Sequence, residues 1–112
     1  MSVRRIVTDE EVDKALHFLA RSASAIGDAR RAMIETEALV KRTEAILYLQ
    51  SEQKTADGKK AEARASDRWM EASTQAAIAA GEFQTQLALR EAASAKIEAW
   101  RSEQATHRAT RL

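Results

Sequence analysis

The sequence contains no cysteine and no proline, and only three of its 112 residues are glycine. Without cysteine, a disulfide framework and a thiolate metal site are both excluded. The two histidines, His17 and His107, are too far apart in sequence to suggest a metal cluster. The glycines at positions 27, 58 and 81 are too scattered to form a phosphate-binding loop. Since catalytic motifs are missing as well, we predict a protein that is not an enzyme and that uses neither a metal nor a cofactor.

Long apolar runs and an excess of one charge are also missing. The longest apolar runs, 45–49 and 76–80, have five residues each, which is too short for a membrane-spanning helix. The first residues include no apolar segment typical of a signal peptide, so we expect a cytoplasmic protein. The 18 basic and 17 acidic residues nearly cancel, which is atypical of a disordered chain and of a tight duplex-DNA binder.

The residues that are abundant favour helices. Ala, Glu, Lys, Leu and Arg account for 62 of the 112 residues, and 24 of them are Ala. This composition is typical of coiled coils and long helices. Leu, Ile, Val and Phe together number only 20, which is few for a self-sufficient core. We therefore predict an all-α fold: a long helical hairpin or a three-to-four-helix, coiled-coil-like arrangement that is completed by oligomerisation.

One helical domain is predicted over residues 8–112, after a flexible arm at 1–7. Its helices are expected at about 8–26, 29–52, 56–64 and 67–108. Thr8 and Glu11 form a capping box at the first helix, and Gly27 is a candidate for its C-terminal end. The apolar stripe of this helix recurs at spacings of four and three residues: Val12, Leu16, Leu19, Ala23 and Ile26.

The second and last helices carry the candidate oligomer or partner interface. In the second helix an apolar doublet recurs every seven residues, which keeps one side of the helix against a partner. The last helix has small residues in its first half and bulky ones in its second half. The predicted interface residues are Met33, Leu39, Val40, Ile46, Leu47, Phe83, Leu87, Ile97 and Trp100.

A cluster of basic residues lies around the predicted corner between the helices. We call it the basic corner, and it consists of Lys54, Lys59, Lys60, Arg64 and Arg68, followed directly by Trp69. Lys60, Arg64 and Arg68 are four residues apart and would share one helical face. Cations beside a flat ring are typical of single-stranded nucleic-acid sites. The alternative is a solvated basic face with Trp69 buried in the core.

Further basic residues lie near both ends of the chain: Arg4, Arg5, Arg101, His107, Arg108 and Arg111. One interpretation is that these are basic segments that contact nucleic acid or protein and become ordered on binding. For the C-terminal group, a favourable interaction with the negative end of the last helix is a sufficient explanation. The sequence leaves both interpretations open.

Two stretches carry a resemblance to known proteins, KRTEAILYLQSEQKTADGKKAEARASDRW (41–69) and REAASAKIEAWRSEQATHRA (90–109). They resemble a family of small helical proteins from phages and prophages. Members of this family tend to be encoded beside recombination and replication genes. The order of helices is also similar to that of the recombination mediator of T-even-like phages. The resemblance implies a ring-forming protein that loads a recombinase onto single-stranded DNA, with the basic corner as its DNA contact.

These observations lead to two main functional hypotheses; a third is a structural coiled-coil component of a phage particle. The first is an accessory factor of homologous recombination, located in the host cytoplasm, that binds single-stranded DNA weakly and with strong salt dependence. It would be a homo-oligomer and would contact a recombinase or a single-strand-binding protein. The alternative is a helical protein-interaction module, such as a phage-borne inhibitor or adaptor, that does not bind DNA.

Overall fold

Three helices make up the structure, a computed structural model that describes residues 6–110. They are α1 (Asp9–Gln50), α2 (Ala56–Ala65) and α3 (Asp67–Thr110). Within residues 6–110 there is no β-strand. The prediction of an all-α fold is therefore confirmed. The short helix predicted at 56–64 corresponds to α2, and the last predicted helix corresponds to α3.

The predicted helix end at Gly27 is wrong, because α1 runs through this position without a break. Gly27 does not have the positive φ angle that a glycine C-cap requires. A glycine inside a helix costs only about 1 kcal/mol relative to alanine. Buried heptad positions continue on both sides of Gly27, and the free energy gained by packing them outweighs this cost.

The start of α1 is capped as predicted. The Glu11 backbone N–H donates a hydrogen bond of 3.1 Å to Thr8 Oγ1. Val7 and Val12, on either side of the cap, are both buried, as in a hydrophobic staple. The predicted flexible arm does not extend to its last two residues, because Val7 is buried and the Ile6 N–H donates to Glu103 Oε1 at 2.6 Å. Residues 1–5, with Arg4 and Arg5, lie outside the described residues.

Two compact units divide the described residues between them. The terminal unit contains residues 6–26 and 85–110, which are the first part of α1 and the last part of α3. The central unit contains residues 27–84, which are the rest of α1, all of α2 and the first part of α3.

The two helical segments of the terminal unit are antiparallel. The Ile6 N–H bonds to Glu103, whereas Asp9 Oδ1 accepts a 3.0 Å hydrogen bond from Trp100 Nε1. In both pairs the two residue numbers add up to 109. The residue numbers therefore rise along one segment in the direction in which they fall along the other. Residues whose numbers add up to about this value therefore lie at the same level of the unit.

Burial along α1 repeats at two positions of a heptad. One position carries larger side chains that are buried or half-buried: Val12, Leu19, Ile26, Met33, Val40 and Leu47. The other carries small side chains that are buried, or half-buried at Thr36: Ala15, Ser22, Ala29, Thr36 and Thr43. On α3, the buried residues Ala72, Ala79 and Ala93 also follow a seven-residue spacing. Small residues at such contacts let helix axes approach closely.

The predicted stripe on the first helix is wrong at two positions. Leu16 is 51% exposed and Ala23 is also exposed, whereas Ala15 and Ser22, one residue earlier, are buried. Both spacings fit a helix, so the periodicity alone does not choose between them. Ala15 is smaller than Leu16 and lets a neighbouring helix approach closely, and Ser22 lies on the same side of α1 one heptad later.

Candidate nucleic-acid interface

The basic corner lies in the central unit and extends from the segment after α1, through α2, to the start of α3. Thr55 caps α2, and its Oγ1 accepts a 3.0 Å hydrogen bond from the Gly58 N–H. At the other end, Ser66 has an extended backbone, with φ −69° and ψ 137°, which separates α2 from α3. These two breaks in the helix determine where each basic side chain lies.

The break at Ser66 corrects one prediction about the corner. Lys60 and Arg64 are both in α2 and share a face, but Arg68 follows the break and belongs to α3. The spacing of four residues therefore does not place all three cations on one continuous helical face. A helical face extends only as far as the helix itself.

Two of the five cations of the basic corner are engaged with aromatic rings of the same unit. Lys59 Nζ lies 5.5 Å from the centre of the Tyr48 ring, and the Arg64 guanidinium lies 5.7 Å from the Trp69 ring. Both distances are within the range of cation–π contacts. Arg64 Nε also donates a hydrogen bond to Glu44 Oε1, which closes an ion pair. Lys59 and Arg64 therefore stabilise the fold of this unit.

The other three cations of the corner, Lys54, Lys60 and Arg68, are exposed. No ion pair described for the central unit includes them. A phosphate could reach each of them without breaking a contact of the fold. The electrostatic attraction of these three cations for a phosphate is limited, because acidic residues such as Asp57 and Asp67 lie close to them in the sequence.

Trp69 is half-buried, with its indole Nε1 buried and without a hydrogen-bond partner. Leaving a donor unpaired costs about 1–3 kcal/mol. One contact of the ring is the Arg64 guanidinium, which occupies a position that a stacked base would otherwise use. Trp69 therefore has features of both structures considered from the sequence. It is packed like a core residue, and it also lies next to the basic side chains, as in a nucleic-acid site.

Spacing in the sequence did not identify Glu44 and Tyr48 as partners of the corner. Glu44 is 20 positions from Arg64, and Tyr48 is 11 positions from Lys59. Both residues are on α1, whereas their partners are on α2. A pattern of three and four residues shows neighbours within one helix only, so it carries no signal for these contacts.

The predicted interface residues are mostly half-covered by their own chain. Leu39 is exposed at 46%. The others are half-buried: Met33, Val40, Ile46, Leu47, Phe83, Leu87, Ile97 and Trp100. Their packing within each unit accounts for part of the apolar pattern. Contact with a second copy through the remaining surface stays a prediction.

The basic residues near the C-terminus lie in the terminal unit. Arg101 is paired with Glu98 at 3.3 Å, and Arg108 Nε donates to the Gln104 carbonyl oxygen at 3.4 Å. Both side chains are exposed, and His107 is half-buried. Arg111 lies outside the described residues. The contact of Arg108 with a carbonyl oxygen near the end of α3 agrees with the helix-end interpretation.

The sequence matches no family model, and no curated protein or solved structure is similar enough to it to count as a match. Between residues 6 and 110, no group of acidic and histidine side chains is arranged to hold a metal ion. In the same part of the chain, no helix combines the length and the apolar character that crossing a bilayer requires.

Proposed function

We propose that the chain is an oligomeric accessory factor of homologous recombination. It binds single-stranded DNA weakly through the basic corner and contacts a recombinase or a single-strand-binding protein. The proposal of DNA binding rests on one observation, the exposure of Lys54, Lys60 and Arg68 around one short helix. The resemblance of residues 41–69 and 90–109 to small phage proteins supports the setting of recombination.

Three cations per copy support only a weak contact. Each phosphate contact on a single strand contributes about −0.7 to the slope of log affinity against log salt, so three contacts give about −2. Several copies in one oligomer add to the affinity because later contacts form at a high effective concentration. Scaffolding of this kind would shift which protein occupies the strand without any chemical step.

The test is a titration of a labelled single-stranded oligonucleotide at about 50 mM salt, where phosphate contacts are strong. We expect the triple variant Lys54→Ala/Lys60→Ala/Arg68→Ala to bind at least about tenfold more weakly, since each contact contributes to an electrostatic affinity. It leaves Arg64 in place, and with it the ion pair to Glu44.

The matched control removes the same charge from the same unit. Arg31, Lys41 and Arg42 are exposed on α1 in the central unit. Changing these three to Ala should leave the affinity nearly unchanged. The DNA part is wrong if the wild type fails to bind at about 50 mM salt, or if both triple variants lose the same affinity.

A protein-interaction module without DNA binding is the second candidate, and exposed apolar side chains of the central unit favour it. Leu49 is 80% exposed and Ile78 is 60% exposed. Such side chains are common at protein interfaces when they form a patch. A partner that is retained after nuclease treatment, and lost with Leu49→Gln or Ile78→Gln, would support this candidate over the first.

A further inference from the structure

Arg64, on α2, contacts both of the other helices in the central unit. Its guanidinium lies 5.7 Å from the centre of the Trp69 ring on α3, and its Nε donates a hydrogen bond to Glu44 Oε1 on α1. The Arg64 side chain is 49% exposed, whereas that of Glu44 is 27% exposed. Solvent therefore reaches the guanidinium while both contacts are in place.

The Glu44 carboxylate occupies a donor that a phosphate would also use. A guanidinium pairs with carboxylate and phosphate oxygens through the same fork of N–H groups. The Nε of Arg64 carries a single hydrogen, and this hydrogen is donated to Glu44. Glu44 and a phosphate would therefore compete for the same edge of Arg64.

We propose that Glu44 is an internal competitor of DNA phosphates, and that Arg64 becomes a fourth DNA-binding cation of the basic corner when Glu44 releases it. The inference rests on the proposed binding of single-stranded DNA. The contact with the Trp69 ring does not involve Glu44, so it keeps the guanidinium at the corner during the exchange.

Two features favour Glu44 over a phosphate in the wild type. The carboxylate belongs to the same chain, so its effective concentration at Arg64 is high, whereas a single strand that binds weakly must first be captured by the other cations. The pair is also less screened than a fully exposed one, because most of the Glu44 side chain is covered. Glu44 therefore lowers the affinity of the corner for DNA.

The variant Glu44→Gln tests this competition by titration of a labelled single-stranded oligonucleotide between about 50 and 200 mM salt. We expect binding about fivefold tighter than the wild type at the lowest salt, because one more phosphate contact forms. The slope of log affinity against log salt should change from about −2 to about −3, since each contact contributes about −0.7. A merely structural role of Glu44 would not steepen this slope.

Glu62→Gln is the matched control for the loss of one negative charge. Glu62 is exposed on α2, two positions before Arg64, and its described partner is the Ser51 hydroxyl. This variant should gain less affinity than Glu44→Gln and should keep the wild-type slope. In an Arg64→Gln background, Glu44→Gln should raise the affinity no more than Glu62→Gln does in the wild type, because its larger effect requires Arg64.

Circular dichroism should show equal helix content in these variants. If Glu44→Gln loses helix, Glu44→Asp takes its place, because the shorter side chain withdraws the carboxylate from Arg64; it should steepen the slope in the same way. Equal gains from Glu44→Gln and Glu62→Gln, an unchanged slope, or a gain that persists without Arg64 would overturn the competition and leave DNA binding intact. Failure of the wild type and of every variant to bind would overturn both.

Discussion

Gly58 is the one glycine of this chain whose missing side chain matters to a described contact. An added Cβ would lie 2.9 Å from Thr55 Oγ1 and 3.3 Å from Gln53 Cβ. The same Oγ1 caps α2 by accepting the Gly58 N–H. A side chain at position 58 would therefore displace the cap. At Gly27 and Gly81 nothing lies within 4 Å of an added Cβ, and both are inside long helices.

We therefore expect Gly27→Ala to stabilise the protein, and Gly81→Ala to do the same. Each should raise the free energy of unfolding by about 1 kcal/mol, the helix propensity difference between Gly and Ala. Urea denaturation followed by circular dichroism at 222 nm measures this gain. A loss of stability in either variant would show that its glycine has a role in packing.

Gly58→Ala serves as the contrast to these two variants. The same propensity gain is offset by disturbance of the Thr55 cap, and losing an N-cap costs about 1 kcal/mol. We expect Gly58→Ala to be less stable than Gly27→Ala by about that amount. Equal gains at all three positions would show that the cap adjusts without cost.

At the scale of the element, α2 is packed through a very small side chain. Ala63 is 1% exposed, the most buried residue among those described. Ala61, two positions earlier, is exposed on the same helix. The helix therefore lies close to its neighbours on one side and faces solvent on another.

Ala63→Leu should lower the free energy of unfolding by about 1–3 kcal/mol, because a larger side chain overpacks a close contact. Ala61→Leu changes the same helix by the same number of atoms and should have little effect. Thermal unfolding of the two variants at equal concentration measures the difference. Equal melting temperatures would contradict the close packing of α2.

At the scale of the whole molecule, the described residues include no large side chain that is fully buried. The buried apolar residues are alanines and two valines, each of which contributes little buried area. A chain with so little core gains stability when further surface is covered. The predicted self-association would supply that cover through a second copy.

We therefore expect the melting temperature to rise with protein concentration, because association stabilises the folded state by mass action. Scans across a hundredfold range of concentration should show this rise for the wild type. A melting temperature independent of concentration would contradict assembly in this range.

Much of the fold could be predicted from single residues and short spacings. The cap at Thr8 and the break near Ser66 depend on neighbours in the chain. The predicted break at Gly27 failed because a local helix penalty is small compared with packing along many heptads.

The candidate site could be predicted only in part. The sequence located the basic residues of the corner, but it did not distinguish Lys59 and Arg64, which are engaged with aromatic rings, from Lys54, Lys60 and Arg68, which are exposed. The distinction depends on α1 side chains that are distant in sequence, so local spacing carries no signal for it.

The sequence by itself determined that this protein is helical, because its composition, its caps and its lack of proline all act within a few residues. Only the tertiary structure decided which side of each helix faces inward. Ala15 and Ser22 lie inside while Leu16 and Ala23 lie outside, although both pairs satisfy the same spacing. The physical reason is that the choice depends on how closely a second helix can approach, and that helix is distant in the sequence.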